Sequence, residues 1–213
     1  MKIWKRIILL ACVIALILGL IERQTYTNLL ADEKDVNNFS VIPLTDEILS
    51  LQLDIYLNEL KQKPIIIKVK AKGELNFLYR AIKQNVQVLE VYKGTSLKVG
   101  DQIQLLTTRT VFDFNDIAFN MGFTNLLKKD NEYLVFCEDK IDSPFKKDKN
   151  LFRVSEFIIN PIFCYDNFKN TVTNTSEKVL YSQIASNEFV VEDESTLKKL
   201  LELKQKLFYI YPR

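Results

Sequence analysis

Asp113, Asn115 and Asp116 bring two carboxylates and an amide into one short stretch, the kind of oxygen donors that hold Ca²⁺. The glycine and distal glutamate of an EF-hand loop are missing, so the pattern is a weak one. Glu192, Asp193 and Glu194 form a second acidic run, but they fall where a helix begins and suit its positive end. Lys146, Lys147, Asp148 and Lys149 could touch anionic lipid or wall polymer, and as readily form a solvated turn. Phe112, Phe114, Phe119 and Phe123 either pack a core or present a face to a sugar or peptide.

The chain has no histidine. That removes histidine-based triads, histidine general bases and nearly all catalytic zinc sites together. Five glycines in 213 residues argue against a glycine-rich phosphate loop. No serine sits in a G-x-S-x-G elbow, although composition alone does not exclude a Ser-Lys pair. The sequence therefore assigns no catalytic, cofactor-binding or metal-binding residue, and it leaves the ligand unknown. Basic and acidic residues nearly balance, 29 against 27, which is not the charge of a nucleic-acid binder.

The elements that would position any site begin with an apolar segment. Residues 7–21 carry no charge and follow Lys2, Lys5 and Arg6. Their length lies between a signal-peptide core and a membrane span. Three readings stay open: an uncleaved anchor, a lipid-modified Cys12 after Leu9-Leu10-Ala11, or ordinary cleavage near Gly19. All three place residues 1–6 in the cytoplasm and the bulk outside the cell membrane, as a single-pass, lipoprotein or secreted chain. Taking the three tail charges from the net +2 leaves −1 for residues 22–213. Lysine outnumbers arginine 23 to 6, a bias common in AT-rich bacterial genomes.

Residues 22–43 read as a polar stalk, and residues 44–213 as one extracellular domain. Apolar spacing from Leu44 to Leu60 predicts a helix over 44–62, ended by Pro64. Strands follow: Ile65–Ala71, one or two within Phe77–Tyr92, and one around Ile103–Leu105. Tyr133–Cys137 and Leu151–Ile159 read as strands too, and residues 179–191 as a last strand or hairpin. The switch of parity between Val86, Val88 and Leu89, Val91 predicts a β-bulge near Val88–Leu89, or burial on both faces. A C-terminal helix carries Leu197, Leu200, Leu201 and Leu207 on one face, with Lys198, Lys199, Lys204 and Lys206 on the polar side. The fold class is mainly β with flanking helices: an anchor helix, then a barrel between two amphipathic helices. Cys137 and Cys164 are either two buried thiols or a disulfide.

Three stretches share a grammar with a known family: Val86-Gln87-Val88-Leu89-Glu90-Val91-Tyr92-Lys93-Gly94, Val99-Gly100-Asp101-Gln102-Ile103 and Glu132-Tyr133-Leu134-Val135-Phe136. Over about residues 64–160 they resemble netrin-like and TIMP-like modules, which are OB-fold barrels. The pattern departs at Asp130-Asn131, where a glycine would be usual, and the disulfides of the animal members are absent. The resemblance implies a barrel with Val88, Val91, Ile103, Leu134 and Phe136 in one core. It does not carry over protease inhibition, because that needs a cysteine at the mature N-terminus and Cys12 lies inside the apolar segment. The functional expectation is a non-enzymatic binding module of the envelope, with a protein or wall polymer as partner and the membrane as support. The alternative is a histidine-independent envelope hydrolase of Ser/Lys or carboxylate type.

Overall fold

The computed structural model describes residues 2–25, 36–37, 39–45, 53–78, 81–107, 118–119, 122–142 and 150–213. Asp113, Asn115, Asp116, Phe112, Phe114 and Lys146–Lys149 lie outside them. The chain divides into two compact units, Met1–Asp32 and Glu33–Arg213.

The first unit holds one helix, α1 (Lys2–Thr25). Its segment Trp4–Ile21 is long and apolar enough to cross a membrane. At 1.5 Å per residue, those 18 residues span about 27 Å, close to the thickness of a bilayer's hydrocarbon core. Side chains such as Leu9 and Leu16 are exposed.

The second unit is mixed α and β, built on a closed barrel of five strands. β1 (Ser40–Val41) stands apart from it. β2 (Ile65–Leu78) and β3 (Ala81–Lys93) pair antiparallel, and β3 pairs antiparallel with β4 (Gln102–Thr107). β5 (Ala118–Phe119) joins β1 and a late strand, β9 (Val179–Leu180), in a small separate sheet. β6 (Glu132–Ile141) pairs antiparallel with β2 on one side and with β7 (Leu151–Val154) on the other. β7 closes the ring by pairing parallel with β4, Leu105 opposite Phe152. The order around the barrel is β2-β3-β4-β7-β6 and back to β2. Closure leaves no open sheet edge among these strands. β8 (Ile162–Cys164) adds to β6 beside β7.

Long strands close a small barrel only by bending, and the register shows where. Lys68 faces Glu90 while Val69 faces Val88, so Leu89 is skipped: the expected bulge is there. Tyr92 is skipped in the same way between Lys93 and Val91. On β2 the residues 72–74 sit opposite Asn85 alone, between the pairs Ala71–Val86 and Leu75–Gln84. Gly73 takes φ +126 there, a conformation that L side chains rarely adopt.

Two cores result, not one. Ile67, Val69, Val86, Val88, Ile103, Tyr133, Val135 and Phe152 fill the barrel, with Val91 packed at its margin. Ile66, Leu134 and Phe136 point outward, into a second core beneath the helices. α2 (Leu53–Gln62) contributes Tyr56 and Leu60, and the C-terminal helix contributes Leu197, Leu200, Leu203 and Leu207. The expected single core is thus corrected for Leu134 and Phe136. β6 is buried on both faces, so its unbroken apolar run carries no parity signal.

Other expectations change too. Leu44 is not helical; it bridges Val191, and tertiary pairing overrides its helical spacing. β7 ends at Val154 instead of running to Ile159. Residues 179–191 form β9, the single-turn helix α3 (Tyr181–Ile184) and isolated bridges. The C-terminal helix, α4 (Glu194–Ile210), is capped by Asp193, which accepts from Thr196 N at 2.9 Å and Thr196 Oγ1 at 2.7 Å. Those bonds hold the Asp193 carboxyl below its ordinary range. Lys204 is not on the polar side of that helix but buried.

Candidate functional site

An open cleft of about 730 Å³ lies on the barrel wall. The β2 bulge supplies Lys72, Gly73 and Leu75, and β3 supplies Asn85. The segment leading into β6 supplies Leu126, Leu127, Lys128 and Lys129, and Tyr181 of α3 faces them.

That segment is irregular, so side chains must satisfy its backbone. Gln84 acts as a strand edge: its Nε2 donates to Leu127 O at 3.3 Å, and its Oε1 accepts from Leu127 N at 3.4 Å. Asn125 donates to Ile184 O and Asn187 O, and its Oδ1 accepts from Leu126 N and Tyr181 Oη. The Tyr133 hydroxyl accepts from Lys128 N at 2.7 Å. Asp130 N donates to Ala71 O, and Asn131 O accepts from Ala71 N. Asp130 takes φ +68, a left-handed conformation in which aspartate is one of the enriched non-glycine residues.

The charges at the cleft follow from the strand register. Lys68, Lys70 and Lys72 alternate along β2. Lys68 meets Glu132 at 3.5 Å and Lys70 meets Asp130 at 3.7 Å. Beyond those two acids the facing segment continues with Lys129 and Lys128. Lys72, Lys128 and Lys129 line the cleft, and Lys72 and Lys129 form no ion pair with a described side chain. Lys128 Nζ donates to Ser186 O at 2.8 Å and lies 4.2 Å from the centroid of the Phe168 ring. Burial pulls its pKa below the usual lysine value. Asn85 Oδ1 accepts from Gln104 Nε2, which leaves the Asn85 amide hydrogens for another partner.

A second polar group is internal. Glu188 and Lys204 form a buried ion pair at 2.6 Å, and Glu188 Oε1 also accepts from Cys164 N at 2.7 Å. Burial raises the Glu188 pKa, and Lys204 opposes the shift. The pair ties α4 to β8. Cys164 lies beside it, its thiol pushed up to about 11 by burial, and burial pushes the Cys137 thiol up as well. Both cysteines are free. Cys164 faces Tyr133, four residues along β6 from Cys137, a separation of about 13 Å that no disulfide spans. Neither thiol is a thiolate at neutral pH.

Of the aromatic residues singled out in the sequence, Phe123 is buried in the outer core. The lysine cleft went unnoticed in the sequence, where its one signal is the alternation of Lys68, Lys70 and Lys72 ahead of Gly73. Among the described residues no three Cys, Asp or Glu side chains gather into a metal-binding group. No protein-family model matches this chain, and no curated protein is significantly similar to it.

Proposed function

We propose that the chain is a membrane-tethered binding module of the bacterial envelope whose receptor part is an OB-fold barrel. The parallel pair β4–β7 supports the fold reading, because it sets the five strands in the first-second-third-fifth-fourth order of an OB-fold. The netrin-like and TIMP-like grammar of residues 64–160 supports it independently. The observation that carries the binding reading is the open cleft on the wall of that barrel, next to the face of β3 and β4 that OB-folds use for ligands. Its partner is a protein or polymer of the envelope. Residues 7–21 hold the module at the membrane, and Lys2, Lys5 and Arg6 keep the short tail inside.

An inward-facing domain would end this reading, so orientation is its test. Protease added to intact protoplasts is expected to digest the chain beyond Gln24, and Cys12→Ser is expected to leave size and membrane attachment unchanged. A protected C-terminal unit contradicts the proposal. A mobility shift with Cys12→Ser replaces the helical anchor by a lipid one.

A further inference from the structure

The binding-module reading names no ligand, and the cleft's own chemistry narrows the choice. Its polar side chains are those of Lys72, Lys128, Lys129, Asn85 and Tyr181. Lys72, Lys128 and Lys129 line it, and the Lys128 ammonium donates one hydrogen to Ser186 O. Asn85 has its oxygen engaged by Gln104 and its amide hydrogens available. The Tyr181 hydroxyl donates to Asn125 Oδ1, so that acceptor is taken.

This is a local concentration and not a general basicity. Residues 22–213 carry a net charge of −1, yet three lysines line one concavity. Two acids beside it already meet lysines, Asp130 with Lys70 and Glu132 with Lys68. Like charges held in a concavity repel, and a bound anion relieves that repulsion. The cleft is far larger than the roughly 30 Å³ a water occupies in the liquid. Leu75, Leu126 and Leu127 add apolar wall. An organic anion fills such a site better than a bare inorganic ion.

Resting on the binding-module reading, we propose that this cleft takes a phosphate-bearing organic ligand, a phosphodiester held by Lys72 and Lys129, with Lys128 and Asn85 donating from the sides. A soluble envelope polymer and a lipid headgroup share that chemistry.

The test uses the full chain in neutral maltoside micelles, titrated with synthetic poly(glycerol phosphate). A second arm titrates it with nanodiscs of phosphatidylglycerol and, separately, of phosphatidylcholine. The double variant Lys72→Gln/Lys129→Gln leaves the Lys128 contacts to Ser186 and Phe168 intact. It is expected to bind the phosphodiester about tenfold or more weakly. The charge-matched control Lys98→Gln/Lys140→Gln, at exposed positions away from the cleft, is expected to stay near wild type. Lysine-dependent binding of the polymer alone assigns the ligand to the wall, and lysine-dependent binding of phosphatidylglycerol alone assigns it to the lipid. Absence of binding in both arms, or equal losses in the two double variants, overturns the proposal. The binding-module reading survives that failure if a photo-crosslinker in the cleft still captures a neutral ligand.

Discussion

Phe136→Ala is expected to destabilise the folded unit by about 3–5 kcal/mol, the range for emptying a buried aromatic site. Phe136 is fully buried in the outer core. It meets Phe163 and Tyr211 edge-on, with ring centroids 6.3 and 5.8 Å away. Its strand is the one that pairs with β2, β7 and β8, so the cavity opens where sheet and helices meet and little can move in to fill it. Urea unfolding of the full chain, followed by far-ultraviolet circular dichroism, measures the loss. Val99→Ala, at an exposed position, is expected to stay within about 0.5 kcal/mol of wild type. A cost below about 1 kcal/mol for Phe136→Ala would put the side chain on the surface and undo the two-core description.

Lys204→Met is expected to cost about as much, 3–5 kcal/mol, for a different reason. It leaves Glu188 buried with Cys164 N as its remaining side-chain partner. Removing one member of a buried ion pair is worse than removing both, so Glu188→Gln/Lys204→Met should recover part of the loss. The penalty also depends on pH. Burial holds the folded-state pKa of Glu188 above its unfolded value. The folded form therefore favours the proton, and its stability falls as pH rises through the folded pKa. Without the ammonium that pKa rises further, so the penalty of Lys204→Met is largest near neutrality and shrinks on acidification. A penalty that is small or independent of pH would mean that Lys204 is solvated.

The barrel was more legible than its faces. The parity switch at Leu89 marked a bulge because β3 alternates clearly before it, Val86 and Val88 lying inside. Asp130 adopts the left-handed conformation at φ +68, which an aspartate in sequence does not announce. Tyr133 to Cys137 gave no parity, since both faces are apolar and both are buried. Lys204 was misplaced although the spacing held a clue: it falls four residues after Leu200 and three before Leu207, within the apolar stripe. What the sequence could not show was Glu188 arriving from another element to neutralise it. The cleft was hidden for the same reason. Lys72 and Lys128 are 56 positions apart, and only the antiparallel pairing of β2 with β6 and the segment before it brings them together.

Photo-crosslinking in intact cells tests most directly that this barrel binds through its cleft. The full chain would carry benzoylphenylalanine at Asn85, inside the cleft, or at Lys140, exposed at the opposite end of β6 from that segment. The account predicts one discrete covalent adduct from position 85 and none from position 140. No adduct at 85, or equal labelling at both positions, would contradict it. Turnover of an ester, peptide or wall glycan by the purified chain, abolished by one Ser, Lys, Asp or Glu substitution that leaves the fold intact, would replace it with the hydrolase.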